Sequence, residues 1–189
     1  MTRMLRPSLD EFLTIPDTEP ASEYLCGEVS QKPMPTNAHA TLQGYLQVVL
    51  FQFLLKTRLG RVLPEWRCIF GAVGRERALV PDLVVVRNEH LPRGDVRDTP
   101  YLRTAPDLAI EILSPHQPVR AFVDKVHFYL VHGVRLLWVV DPATETVLVL
   151  RPGEDSSTLT TADQLDGGSV LPGFSLPVRD LFAQLHIED

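Results

Sequence analysis

Two runs decide how this chain folds: ALVPDLVVVR at residues 78–87 and PDLAIEILS at residues 106–114. Each is almost wholly apolar, rich in β-branched and aliphatic residues and short, as strands buried on both faces of a sheet are. Each also carries a carboxylate among its apolar residues, Asp82 in the first and Glu111 in the second. Inside a central strand such a group costs several kcal/mol to desolvate unless it is paired, hydrogen-bonded or bound to a metal. Two such strands lying side by side would bring Asp82 and Glu111 together, and their repulsion would call for a cation. A hard divalent ion with oxygen ligands fits, Mg²⁺ first and Mn²⁺ next. The other reading is that each carboxylate sits at a strand end, solvated or capping a loop. A second Pro-Asp, Pro106-Asp107, precedes Glu111 by four residues. That spacing spans ~13 Å of strand, so Asp107 is expected to open the strand while Asp82 is the ligand.

Outward from these runs the periodicity changes. Before them, Leu42, Leu46, Val49, Leu50, Phe53 and Leu54 follow helical spacing, predicting a long helix from Thr36 or Asn37 to a C′ glycine at Gly60. Residues 61–70 read as a strand joined to 78–87 through GAVGRER. After them, 118–132 reads as a helix opened by Pro118 and closed by Gly133, and 135–141 and 145–150 as strands. A helix between the buried runs 106–114 and 135–141 is a βαβ crossover, so the sheet is expected to be mixed. Near the N-terminus, Ser8-Leu9-Asp10-Glu11 fits a capping box and residues 23–32 a hairpin. Residues 152–168 read as acidic surface loop with one edge strand, followed by a short terminal helix at LPVRDLFAQL. The expectation is an α/β (α+β) domain over 1–189, a central mixed sheet flanked by helices, with an acidic C-terminal segment 152–189.

Composition bounds the function. The 189 residues are 44% hydrophobic and carry a formal charge of −6. Residues 1–140 hold 16 basic and 15 acidic side chains, and residues 141–189 hold 2 and 9. The acidity belongs to the C-terminal quarter, and the rest can meet a polyanion without a large repulsive field. Two cysteines, Cys26 and Cys68, build no disulfide framework, and the first residues lack an apolar signal region, so a cytoplasmic location is expected. The most apolar stretch, 45–55, is too short to span a membrane. Six histidines form no zinc pattern, Ser114-Pro115-His116 is not a nucleophile elbow, and the two glycines of GAVGRER make no nucleotide cradle. His39, at the start of the long helix, could cap it or meet a phosphate, and the arginines between Arg58 and Arg103 are candidate phosphate contacts. Free sheet edges allow two copies to pair, and a homodimer is expected.

The ordered motifs EYLCGEVSQKPMP, PDLVVV, APDLAIEILSP, DKVHFYL, HGVRLLWVVDP and LPGFSLPVRDLF resemble the Uma-type restriction endonuclease family, a branch of the PD-(D/E)XK nuclease superfamily. The resemblance covers most of the chain and implies a restriction-endonuclease-like fold and a Mg²⁺-dependent endonuclease acting on DNA. Pro81-Asp82 supplies the first part of the superfamily pattern and Glu111-Ile112-Leu113 the second, with Leu113 where the superfamily usually places lysine. The resemblance implies that Lys125, on the following helix with Tyr129 one turn on, takes the lysine's role. It also implies that Glu23 reaches the metal beside Asp82 and Glu111, directly or through water. The alternative, favoured by Leu113, is a nuclease-like fold used for nucleic-acid binding or assembly without catalysis.

Overall fold

The computed structural model describes residues 6–72, 75–115 and 119–186, with the side chains of 96, 119 and 121 left undescribed. Two helices cover a central sheet. A six-stranded sheet runs in the order β10-β9-β8-β7-β6-β3, built from β3 (Gly60–Pro64), β6 (Leu83–Arg87), β7 (Leu108–Ile112), β8 (Leu136–Asp141), β9 (Thr146–Leu150) and β10 (Ser157–Leu159). Its β7 and β8 are parallel and joined by helix α3 (Val119–Val131), while the other neighbours are antiparallel. The fold is therefore a mixed α+β architecture of the restriction-endonuclease-like kind, and the crossover lies where the two buried runs require it. Pro118, expected to open α3, lies outside the described residues, as does His116.

Strand alternation sorts the core into two layers. Leu83 and Val85 of β6, Ile110 and Ile112 of β7, and Trp138 and Val140 of β8 pack with Leu42, Leu46, Leu50 and Leu54 of helix α2 (Asn37–Thr57). Val84 and Val86, Ala109, and Leu137 and Val139 face the other way, toward Phe128 and Tyr129 of α3. Glu111, one residue along from Ile110 and Ile112, is thereby directed to the α3 side. The acidic C-terminal segment does more than form surface loop. A hairpin, β11 (Gln164–Gly167) and β12 (Leu171–Pro177), leads into α4 (Val178–Phe182), and Leu165, Phe174, Leu176, Leu181 and Phe182 enter the core on the α2 side.

A second sheet, in the order β2-β1-β5-β4, is formed by β1 (Ser22–Leu25), β2 (Glu28–Gln31), β4 (Cys68–Phe70) and β5 (Arg77–Leu79). Its β1–β2 pair is the expected N-terminal hairpin, and α1 (Leu9–Leu13) begins at the expected Ser8/Glu11 capping box. Here the structure departs from the sequence reading. Residues 78–87 are not one strand, because the run breaks at Val80-Pro81-Asp82 and passes from the small sheet into the large one. Pro81 has no N–H to give to a ladder, and a corner is where such a residue is tolerated. Residues 61–70 break likewise, at Glu65, whose φ is 46°.

Gly60 does not cap α2. The left-handed residue is Arg58, with φ 55° and its N–H bonded to the Leu54 carbonyl at 2.8 Å, while Asn88 Nδ2 donates to the Arg58 carbonyl at 2.6 Å. Glycine stands at position 60 for another reason: a Cβ there would lie 2.3 Å from the Val86 carbonyl oxygen across the β3–β6 pair. Among the described residues, no helix is long and apolar enough to cross a membrane.

Candidate active site

The corner at Val80–Asp82 is where the two sheets meet, and it gathers the charged side chains. In the β6–β7 ladder Leu83 pairs with Ile110. One residue further along the same register, Asp82 comes opposite Glu111. Both are buried, Asp82 to 1% and Glu111 to 3% exposure. Asp82 Oδ2 accepts from the Ile112 backbone N–H at 2.6 Å, which fastens the corner to β7. Gln43 of α2 donates to the Asp82 carbonyl at 2.9 Å from the opposite layer.

From the small sheet, β1 brings Glu23, whose Oε1 accepts from the Val80 N–H at 2.9 Å. From above, α3 brings Lys125 and Tyr129, four residues apart and so on one helix face. Lys125 Nζ lies 2.8 Å from both Glu23 Oε1 and Glu111 Oε1, and the Tyr129 hydroxyl donates to Glu111 Oε1 at 2.7 Å. The structure thus brings Glu23, Asp82, Glu111 and Lys125 to the wall of a single cavity of about 320 Å³. Leu113 packs in the α3-side core, so the strand position without a lysine faces the helix that carries one.

Sequence reasoning gives no such place to two further side chains at this cavity. Lys32, directly after β2, donates from Nζ to Asp82 Oδ1 at 2.6 Å and to the Val80 carbonyl at 2.9 Å. His39 neither caps α2, a role taken by the Thr36 hydroxyl, nor stands free for a phosphate, since its Nε2 lies 3.2 Å from Asp82 Oδ2. Its Nδ1 is buried without a hydrogen-bond partner. One sequence signal points to Lys32. The chain has three lysines against fifteen arginines, and two of those three, Lys32 and Lys125, are drawn into the carboxylate cluster.

The electrostatics follow from burial and pairing. Burial works against ionising Asp82, but the hydrogen bond from His39 and the Lys32 charge outweigh it and hold the carboxyl well below its usual range. Glu111 goes the other way: burial raises its pKa, Lys125 opposes the rise and the Asp82 charge adds to it. Lys125 is held in its charged form, the desolvation cost overcome by Glu111 and Glu23. Two neighbouring carboxyls are thereby pushed apart in acidity, an arrangement found where acid–base or ion-binding roles are divided.

Asp107 has a different task. It lies at the start of β7, 1% exposed, and accepts from the Arg87 N–H at 2.8 Å, with Arg135 Nη1 at 3.2 Å and His90 Nδ1 at 2.9 Å from its Oδ1. It ties the end of β6 to β7 and takes no part in the cavity. Among the candidate arginines Arg77 lines the cavity and stacks on Phe128, whereas Arg67 pairs with Asp17 and Arg97 with Asp95.

Among the described residues, no three His, Cys, Asp or Glu side chains are gathered as a ready-made metal cage. The donor chemistry nonetheless fits a hard cation. Mg²⁺ is usually held by one or two carboxylates, with water and substrate phosphate completing its shell, and Asp82 and Glu111 are two such carboxylates on one wall.

Comparison with known proteins leads to nucleases. The structure matches that of a protein described as a "putative nuclease belonging to DUF820" from Anabaena variabilis, with a TM-score of 0.86 and 34% identity, covering 95% of this chain and 99% of that one. No curated protein matches the chain. A family model described as "Putative restriction endonuclease" matches residues 9–179, and over that span the chain belongs to the Uma2 family.

Proposed function

We propose that the protein is a Mg²⁺-dependent endonuclease that hydrolyses DNA phosphodiester bonds, with Mn²⁺ able to replace Mg²⁺. One observation carries the reading: two buried carboxylates, one at the corner before β6 and one on β7, and a largely buried lysine from the crossover helix share one cavity wall. Asp82 and Glu111 would hold the ion, with Glu23 beside them. When bound, the ion would polarise a phosphate oxygen and acidify a water for attack on the phosphorus. The chain's own residues do the rest. The Ile112 N–H fixes the orientation of Asp82, and Tyr129 fixes that of Glu111. Lys125 opposes the rise that burial gives the Glu111 pKa and would set a positive charge where negative charge develops on the phosphate.

A homodimer belongs to the same proposal. The six-stranded sheet has β3 at one edge, and Val48, Phe51 and Leu55 of α2 are exposed large apolar side chains at helical spacing. Cys26 and Cys68 are both free thiols, consistent with a cytoplasmic location.

A second reading, nucleic-acid binding without hydrolysis, is favoured by the fact that both cavity lysines already pair with carboxylates. Asp82→Asn and Glu111→Gln, which keep side-chain shape, separate the two. Each should lower Mg²⁺-dependent plasmid cleavage by about 100-fold or more, a loss typical of removing a key electrostatic group, with unchanged circular dichroism. Cleavage retained in both variants, or absent from the wild type with Mg²⁺ and Mn²⁺ alike, refutes the catalytic reading.

A further inference from the structure

We propose that Lys32 is the resident counter-ion of Asp82, that a divalent cation displaces its ammonium from that carboxylate, and that the freed ammonium then contacts the substrate phosphate. The proposal rests on the metal-dependent reading above and assigns a role to a residue that reading leaves unused.

The two cavity lysines are held very differently. Lys125 is gripped by two carboxylates at 2.8 Å each and lies against the Tyr129 ring, 5.8 Å from its centroid. Removing either acid would leave it the other. Lys32 has a single acidic partner, Asp82 Oδ1, and one backbone carbonyl. Lys125 is anchored to a packed helix in the α3-side layer. Lys32 follows β2, the outermost strand of the small sheet, all four of whose residues are exposed. A lysine head is a compact charge on a flexible four-carbon stem, so it can leave one acceptor for another without backbone change.

Electrostatics makes the exchange necessary. Both Asp82 oxygens are engaged, Oδ1 by Lys32 and Oδ2 by the Ile112 N–H and His39. The Ile112 N–H is part of the framework that joins the corner to β7, whereas the ammonium is a mobile cation. A dication on Asp82 would face that ammonium across one carboxylate, and like charges at such a distance repel strongly in a buried site. The ammonium therefore leaves Oδ1, and Lys32 remains on the wall of the same cavity. A phosphate entering to complete the ion's shell brings the negative charge that re-pairs it.

The chain's three lysines make this measurable in the unaltered protein. With ¹³C at the lysine ε-carbons, a Mg²⁺ titration without DNA should shift the Lys32 resonance, in step with Asp82-dependent binding, and leave that of Lys56 in place. Calorimetry with MnCl₂ gives the second readout. Lys32→Gln removes the competitor and should bind Mn²⁺ about tenfold tighter, or more, whereas Lys32→Arg keeps a cation and should stay within about twofold of wild type. At saturating metal, Lys32→Gln should then cleave DNA at least about tenfold more slowly. An unmoved Lys32 signal during Asp82-dependent Mg²⁺ binding overturns the proposal alone. So does a Lys32→Gln variant that binds Mn²⁺ no tighter, or cleaves at the wild-type rate. Failure of the wild type to bind either ion is a different result, and it removes the metal-dependent reading itself.

Discussion

Replacing Lys125 with methionine tests whether the buried carboxylates depend on an internal cation. The substitution keeps the stem's length and apolar packing and removes only the ammonium that bridges Glu23 and Glu111 at 2.8 Å. The Glu111 side chain is 4% exposed and that of Glu23 12%, so water cannot replace the lost charge. Taking one partner from a buried ion pair costs about 3–5 kcal/mol. For a chain of this length each kcal/mol lowers the melting temperature by about 2–4 °C, so Lys125→Met should melt about 6–20 °C below wild type at pH 7.

The pH dependence identifies the cause. Glu111 already has a raised pKa in the folded protein, and losing Lys125, which opposes the rise, lifts it further. Between its unfolded and folded values the folded variant binds more protons than the unfolded chain, so the variant gains stability as pH falls. The gap to wild type should therefore narrow as pH falls from 7 to 5. Adding Glu111→Gln removes the stranded charge and should recover about half the loss, a coupling that a double-mutant cycle measures directly. Urea unfolding of the four proteins at both pH values is the assay. A cost below about 1 kcal/mol at pH 7, or the same cost at both pH values, refutes an electrostatic role for Lys125 in the fold.

Two further perturbations probe how the site is held. Tyr129→Phe removes the 2.7 Å hydrogen bond to Glu111 and should cost about 1–2 kcal/mol in urea unfolding, while helix α3 keeps its far-ultraviolet signal. Gly60→Ala should cost about 1–3 kcal/mol, because its Cβ would meet backbone, the Val86 oxygen at 2.3 Å and Arg87 Cα at 2.8 Å, rather than a side chain able to move; unchanged thermal stability would show that β3 yields freely.

Asp82 and Glu111 are legible in the sequence because an ionised group inside an apolar run demands a partner or an ion to offset its desolvation. The crossover is legible for a similar reason, since a 3.6-residue period between two buried runs has one common outcome. Lys32, though marked by the scarcity of lysine, cannot be placed at the site from the sequence. It reaches Asp82 across fifty residues, and its neighbours Gln31 and Pro33 describe only the end of a hairpin. The corner at Val80-Pro81-Asp82 reads as the middle of a strand because the hydropathy of 78–87 is continuous. What breaks the run is backbone hydrogen bonding, with the Val80 N–H and carbonyl taken by side chains of Glu23 and Lys32 instead of a neighbouring strand. Position 60 misleads for a related reason: a glycine just past a helix looks like a cap, and here strand proximity requires it.

The same corner explains how a chain of net charge −6 can present an acidic cavity to a polyanion. Three carboxyl groups, Glu23, Asp82 and Glu111, face two ammonium groups at the centre of the cluster, before any ion arrives. On the metal-dependent reading, a dication would add positive charge at the place where a phosphate would bind. The C-terminal acids do not oppose this directly. Their hairpin and α4 are built into the α2-side core, whereas Glu111 and Lys125 meet on the α3 side of the sheet. On the metal-dependent reading proposed above, DNA affinity would be conditional on the ion, since the protein alone offers a phosphate a nearly balanced cluster. Binding without Mg²⁺ should accordingly be weak and fall steeply with salt, as contacts from scattered arginines do.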